Sequence, residues 1–259
     1  MKFDLTASIV AYHNDPVELE RAIMSFLNTE LEVKLYIVDN SDTDKLRSLC
    51  SDPRIEYHFS GNNLGFGAGH NMALRRSLKL APYHLIMNPD VYFPPGPLDV
   101  LIRYMNLHHD VGVVMPKILN PDGSLQYLCK KLPTPFDLIT RRFIPGFLSP
   151  FMQNRLAAYE FRNRDYNSEM DVPCLSGCFM FVRTSVFEEV GFFDERYFMY
   201  LEDVDLFRRI GVLYRVVYNP AAYVYHAYAK GSYNNSLLLL RHVQSAVKFF
   251  FKWGWFPFH

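Results

Sequence analysis

The 259 residues are 49% hydrophobic, and 27 basic side chains balance 27 acidic ones to a formal net charge of zero. This supplies a sizeable core for one large domain or two small ones, and it excludes a general nucleic-acid binder, which concentrates Lys and Arg. The four cysteines, Cys50, Cys129, Cys174 and Cys178, include one close pair without a second, so they read as reduced thiols rather than a zinc site. There is no basic-then-apolar leader and no run of about 18 uncharged apolar residues, so neither a signal peptide nor a membrane span is expected.

In chain order, Leu5–Tyr12 reads as a first strand, broken by His13-Asn14-Asp15-Pro16. Asn14 or Asp15 can cap a helix with Pro16 at its start, running from Val17 to about Asn28 with Leu19, Ile23, Phe26 and Leu27 on one face. Val33–Val38 is a second strand ended by Asp39-Asn40-Ser41-Asp42; Asp44–Cys50 fits a short helix and Ile55–Phe59 a third strand. The glycine-rich run 61–69 opens into a helix over His70–Lys79, and His84–Met87 is a buried strand stopped by Asn88-Pro89-Asp90. This β-α-β-α-β order predicts a parallel sheet with helices on both faces, its connections at 11–15, 39–42 and 61–70 gathered at one edge.

The second half is less regular. Helices are expected over Pro97–His108, Thr184–Val190 (capped by Thr184 or Ser185), Asp203–Ile210 and Leu237–Trp253. Strands are expected over Val111–Pro116, Ser176–Arg183, Val212–Tyr218 and Ala222–His226, with Lys130–Arg164 a loop-rich excursion.

Several residues can carry chemistry. Asp90 follows a buried strand, where open α/β sheets bind ligands, and a carboxylate there suits a divalent cation bearing phosphates; the alternative is a solvated turn Asp. Asp39 can accept from a base or ribose, or form an Asx-turn. The loop at 61–69 is neither Gly-x-Gly-x-x-Gly nor Walker A, yet its glycines permit close backbone approach, and Asn71 can reach a sugar or base. Glu202, Asp203 and Asp205 are three acids in four positions; Arg208 or Arg209 accounts for Asp205, leaving Glu202 and Asp203 as a general-base candidate or as helix-capping acids. His226 with Lys230, Gly231 and Ser232 would suit a metal–diphosphate group, or His226 is a packed histidine. The aromatic, basic segment Val243–His259 can lie in a membrane interface, dock on the body or contact a second copy.

Taken together, the chain resembles the GT-A glycosyltransferases of family 2, in the rhamnosyltransferase-like branch that builds bacterial surface polysaccharides. The resemblance runs from Ser8 to about Ser232 and rests on four pieces: Ser8–Asn14 with Ile37–Ser41, Asn62–Asn71, Met87–Asp90, and Gly191–Glu195 running into Tyr200–Asp205 and His226. It implies a metal-dependent, inverting transfer of a sugar, rhamnose from dTDP-rhamnose being the first choice, to a saccharide hydroxyl on a lipid-linked acceptor. A UDP-hexose or UDP-galactofuranose donor is the alternative within the fold, and a non-catalytic nucleotide-sugar-binding scaffold the alternative outside enzymes. By resemblance, Ala11, Tyr12 and Asp39 hold base and ribose, and Asn63, Gly67 and Asn71 line the nucleotide pocket. Asn88, Lys230 and Ser232 attend the diphosphate, Asp90 and His226 bind Mg or Mn, and Asp203 is the base, assisted by Glu202. Asn88 stands where many relatives carry the first Asp of Asp-x-Asp. The implied organisation is a GT-A, Rossmann-like domain over 1–232, with a donor half at 1–95 and an acceptor half at 96–232, and an amphipathic tail at 233–259. Its implied place is the cytoplasm or the inner face of the plasma membrane, with a homodimer open.

Overall fold

The computed structural model describes residues 1–138, 150–227 and 236–255. The front half follows the expected alternation: β1 (Leu5–Ala11), α1 (Pro16–Leu27), β2 (Val33–Asp39), a 3₁₀ turn (Lys45–Leu49), β3 (Ile55–Phe59), α2 (Phe66–Ser77) and β4 (Tyr83–Met87). The four strands are parallel and lie in the order β3-β2-β1-β4. β1 and β4 are buried along nearly their whole length, which is why they read as continuous apolar runs rather than alternating ones. Asp15 caps α1 by accepting from the Val17 N–H at 2.8 Å, with Pro16 in the first turn.

α2 begins at Phe66, earlier than the expected His70. Its glycines are inside the helix because other residues occupy the space of a side chain: a Cβ on Gly67 would lie 2.9 Å from Phe193 Cβ, and one on Gly69 2.7 Å from Val10 Cγ2. Gly65, at φ +89°, caps the helix beneath the Phe198 carbonyl.

The second half adds β5 (Val91–Tyr92), α3 (Pro97–Leu107), β6 (Val111–Leu119), α4 (Pro150–Tyr159), β7 (Met170–Asp171), β8 (Phe179–Arg183), α5 (Thr184–Val190), α6 (Glu202–Ile210), β9 (Arg215–His226) and α7 (Ser236–Trp253). The sheet continues β4-β8-β6-β9-β5, with β7 on the flank of β9. β8 is antiparallel to both β4 and β6, so the sheet as a whole is mixed and mostly parallel, as the GT-A resemblance implies. The two expected strands between 212 and 226 are one strand, β9, with a register shift opposite Pro116 and Lys117. The expected excursion at 130–164 contains α4, and its residues 139–149 lie outside the described ones. α5 is capped by Arg183 rather than Thr184 or Ser185; the Thr184 hydroxyl instead donates to the Ala81 carbonyl at 2.8 Å.

The three strand-to-helix connections meet at the carboxyl edge of the parallel strands. Asn40 N–H donates to the Ala11 carbonyl, Ser60 N–H to the Asp39 carbonyl, and the Asn40 side chain to the Gly65 carbonyl. α7 docks on the body: Phe249 and Phe250 are buried in the core, Ser245 Oγ donates to the Met199 carbonyl at 2.8 Å, and Trp253 Nε1 donates to Asp205 at 2.7 Å. Phe256 and Phe258 of the aromatic tail lie outside the described residues.

Candidate active site

Asp90 sits just beyond β4 and His226 at the end of β9, and two short ladders bring them together. Asn88 N–H donates to the Cys178 carbonyl at 2.9 Å, and Val91 pairs with His226 where β5 meets β9. His226 Nε2 lies 3.3 Å from Asp90 Oδ1, and Asn88 Nδ2 lies 3.5 Å from the same nitrogen. The other ring nitrogen, Nδ1, is 3.0 Å from Gln126 Oε1, while Gln126 Nε2 donates to the His226 carbonyl at 2.8 Å. Gln126 therefore holds a proton on Nδ1 and aims Nε2 at Asp90, and Nε2 would give up its own proton to bind a cation there. Asp90 Oδ1 is buried and has no hydrogen bond of good geometry, so the 3.3 Å approach is a charge pairing that leaves an oxygen unsatisfied. Burial pushes the imidazole down, but the Cys178 and Asp90 side chains outweigh it and raise His226 to about 10.

A carboxylate oxygen and an imidazole nitrogen, both buried and converging, fit a divalent cation whose remaining ligands are phosphate oxygens and water. Among the described residues no group of three His, Cys, Asp or Glu side chains is placed to hold a metal ion, so the pair would form only part of a coordination shell.

The second acid cluster begins α6. Asp203 Oδ2 accepts from the Gly177 N–H at 3.0 Å and Oδ1 from the Val204 N–H at 2.8 Å, which holds the carboxylate at the mouth of the loop before β8. Glu202 is buried, and its Oε2 has no partner. Burial first, and the Asp203 charge second, push its carboxyl well above the usual carboxylate range. Asp205 has the structural role expected of it, through Arg209 rather than Arg208. Arg209 Nε lies 3.0 Å from Oδ2, and Trp253 and Lys252 reach Oδ1, each at 2.7 Å. Arg208 instead stacks over the Trp253 ring at 4.4 Å. Asp203, Glu202, His226 and Gln126 all line one cavity of about 290 Å³.

The expected nucleotide-pocket residues are distributed less evenly. Ala11 is buried at the end of β1, and Tyr12 beyond it is half exposed. Asp39 is fully buried; its Oδ1 accepts from the Ser41 N–H, which is the Asx-turn, and its Oδ2 from the Tyr57 hydroxyl at 2.7 Å. Asn63 Oδ1 accepts from the Gly65 N–H at 3.0 Å. Gly67 packs on Phe193. Asn71 is buried with its amide committed elsewhere: Nδ2 donates to the Phe193 carbonyl and to Glu195, and Oδ1 accepts from the Phe193 N–H. Gly67 and Asn71 thus join α2 to the 193–195 segment rather than opening onto the cavity. Lys230 and Ser232 lie outside the described residues. Gln126 and Gly177 are two positioning residues that sequence reasoning missed. Gly177, in Ser176-Gly-Cys178 ahead of a strand, carried a weak loop signal, and Gln126 carried none.

A mixed, mostly parallel sheet with helices against it is the architecture of the GT-A glycosyltransferases, and His226, paired with Asp90, shares one cavity with Asp203. The chain belongs to glycosyl transferase family 2, whose model matches residues 8–191. It is 33% identical over 231 residues to the N-acetylglucosaminyl-diphospho-decaprenol L-rhamnosyltransferase of Mycobacterium tuberculosis, covering 84% of this chain and 74% of that protein. It is 27% identical over 225 residues to the rhamnosyltransferase WbbL of Escherichia coli, covering 84% of this chain and 81% of that protein. In fold it is similar to the crystal structure of GalNAc-T7 with UDP, GalNAc and Mn2+, with a TM-score of 0.66 and 14% identity. That likeness covers 88% of this chain, which spans 44% of the length of the GalNAc-T7 chain.

Proposed function

We propose that the chain transfers rhamnose from dTDP-rhamnose to a hydroxyl of a lipid-linked saccharide in polysaccharide assembly, with inversion at the anomeric carbon. The observation that carries this is that Asp203 and the Asp90-bearing His226 face one cavity from different segments of the chain. An inverting displacement needs that separation, because the leaving group and the attacking hydroxyl stand on opposite sides of the sugar. The names of the two relatives support rhamnose as the sugar and a diphospho-lipid as the acceptor's anchor.

In this reading Asp90 and His226 hold a magnesium or manganese ion on the donor diphosphate, with Asn88 beside them. Bound there, the ion supplies charge neutralisation for the departing nucleoside diphosphate. Asp203 accepts the proton of the acceptor hydroxyl as that oxygen attacks, and the N–H groups of Gly177 and Val204 keep its carboxylate aimed. Glu202 beside it is buried with Oε2 unpartnered, which leaves Asp203 as the carboxylate placed to act on the acceptor. Ala11, Tyr12, Asp39 and Asn63 flank the base and ribose at the carboxyl edge of β1 and β2, Asp39 acting through the turn it holds rather than by an open carboxylate. Among the described residues no helix is long and apolar enough to cross a membrane. The outer face of α7, described in the Discussion, supports peripheral contact with the lipid that carries the acceptor.

The test is transfer by the full chain from dTDP-rhamnose, with UDP-hexoses and UDP-galactofuranose as competing donors, and the product anomer read by NMR. Asp203→Asn is expected to lower turnover by about 10²–10⁴-fold while leaving dTDP affinity intact. Turnover surviving in that variant, or dTDP affinity indifferent to EDTA, would sink the assigned roles.

A further inference from the structure

One loop touches both ends of the candidate site. Ser176-Gly177-Cys178 leads into β8 and is fixed along its length. The Gly177 N–H donates to Asp203 Oδ2 at 3.0 Å, and a Cβ on Gly177 would lie 3.2 Å from Asp203 Cβ, so loop and acid are packed together. The Cys178 carbonyl accepts from the Asn88 N–H at 2.9 Å, and the Cys178 side chain lies against His226. Just upstream, the Cys174 carbonyl accepts from the Lys130 N–H at 2.8 Å. Ser176 is partly exposed and lines the same cavity as Asp203 and His226. Its Oγ accepts only a long contact, 3.4 Å, from the Cys178 N–H, and among the described residues its hydroxyl donates to none. A serine hydroxyl has one donor and two acceptor lone pairs, so this one keeps its donor and a lone pair for a ligand.

We infer that Ser176 holds a hydroxyl of the sugar being transferred. The inference rests on the reading that puts the donor diphosphate at the His226 end and makes Asp203 the base. A sugar joined to that diphosphate, and attacked by a hydroxyl that Asp203 deprotonates, has its ring between the two ends. The loop that is tied to both ends runs beside that ring. A sugar hydroxyl taken out of water loses free energy unless it is paired again, and a fixed serine can both donate to it and accept from it. Because the loop is already held in place, little freedom is lost when the contact forms. A bare nucleoside diphosphate stops at the His226 end and does not reach Ser176. Ser176 therefore separates a nucleotide-sugar from its nucleotide, whereas Asp90 and His226 treat the two alike.

The experiment is calorimetric titration of the full chain with dTDP-rhamnose and with dTDP, in magnesium or manganese and without acceptor. Ser176→Ala is expected to raise the Kd of dTDP-rhamnose about three- to tenfold, the size of one neutral hydrogen bond, and to leave that of dTDP within about twofold. Ser176→Thr keeps the hydroxyl and should recover part of the loss. If the alanine variant does not fold, Ser176→Cys, which keeps the size and weakens the hydrogen bond, is read in the same way. An unchanged Kd for dTDP-rhamnose overturns the contact. Equal losses for both ligands also overturn it, because a merely structural serine disturbs nucleotide and nucleotide-sugar alike. Wild type that binds dTDP-rhamnose but transfers nothing overturns the proposed reaction and leaves the contact standing. If the wild type binds UDP-sugars instead, the choice of donor fails, and the same variant is read on UDP-sugar against UDP. Wild type that binds no nucleotide-sugar overturns both.

Discussion

Glu202 and Asp203 are neighbours that differ in their partners. Asp203 has two backbone N–H donors, whereas Glu202 Oε2 has none and is buried. The folded-state carboxyl of Glu202 is raised above its unfolded value, so its stabilising contribution is present below about pH 4.5 and is lost as pH climbs toward the raised value. Glu202→Gln should therefore gain thermal stability relative to wild type at pH 8 compared with pH 5, and keep turnover within about threefold, unlike Asp203→Asn. Melts at the two pH values and one turnover assay check both halves.

The histidines behind the sheet have a different sign. His84 is fully buried among Thr6, Ser8 and Ser77, and His70 shares Ser8; burial holds His84 down at about 3 and His70 well below its usual range. The unfolded chain takes up protons near pH 6.5 that the folded one refuses, so this stability is whole above that pH and lost as pH falls toward 3. One such histidine costs about 2 kcal/mol between pH 6.5 and 5. Urea midpoints should fall more steeply over that interval in wild type than in His84→Gln; parallel slopes would refute the assignment. The residue types at the site were legible in the sequence, but their partners were not. Gln126 reaches His226 across 100 positions, and no local pattern announces that.

At the scale of elements, the front half was readable because its strands and helices alternate with clear breaks. The start of α2 was missed because Gly67 and Gly69 resemble loop residues until the side chains of Phe193 and Val10 are seen pressing on the helix. The direction of β8 was missed for a plainer reason: a strand buried on both faces shows the same apolar run whichever way it points. Gly65 gives the element-scale prediction. Its φ of +89° already disfavours a side chain, and a Cβ would fall 2.2 Å from the Phe198 carbonyl oxygen. Gly65→Ala should cost at least about 2 kcal/mol in urea unfolding, because backbone and not a flexible side chain must give way. Trp253→Phe removes the indole donor from the fully buried Asp205 and should cost about 1.5–3 kcal/mol; a loss under 0.5 kcal/mol would show that Lys252 suffices.

The whole molecule presents α7 with two faces. One is docked and lines the cavity. The other exposes Leu240, Val243, Val247 and Phe251, the last at 75%, in a stripe with Arg241 and Lys248 along one edge. This stripe is the face on which the membrane contact is proposed. Val247→Lys combined with Phe251→Lys should weaken co-sedimentation with anionic liposomes at least about fivefold, with turnover on a water-soluble acceptor unchanged; equal binding by the variant would locate the contact elsewhere. The sequence showed the amphipathic tail but not which of its aromatics face inward, because Phe249 and Phe250 are buried while Phe251 beside them is not. The order of motifs made the fold legible.

That docking also bears on biogenesis. α7 is the last described helix to leave the ribosome, and it braces Asp205 two residues from the base. A nascent chain can already have its donor-side strands paired while the opposite wall is still unmade. Completion of the Asp205 support then waits on the helix translated after it.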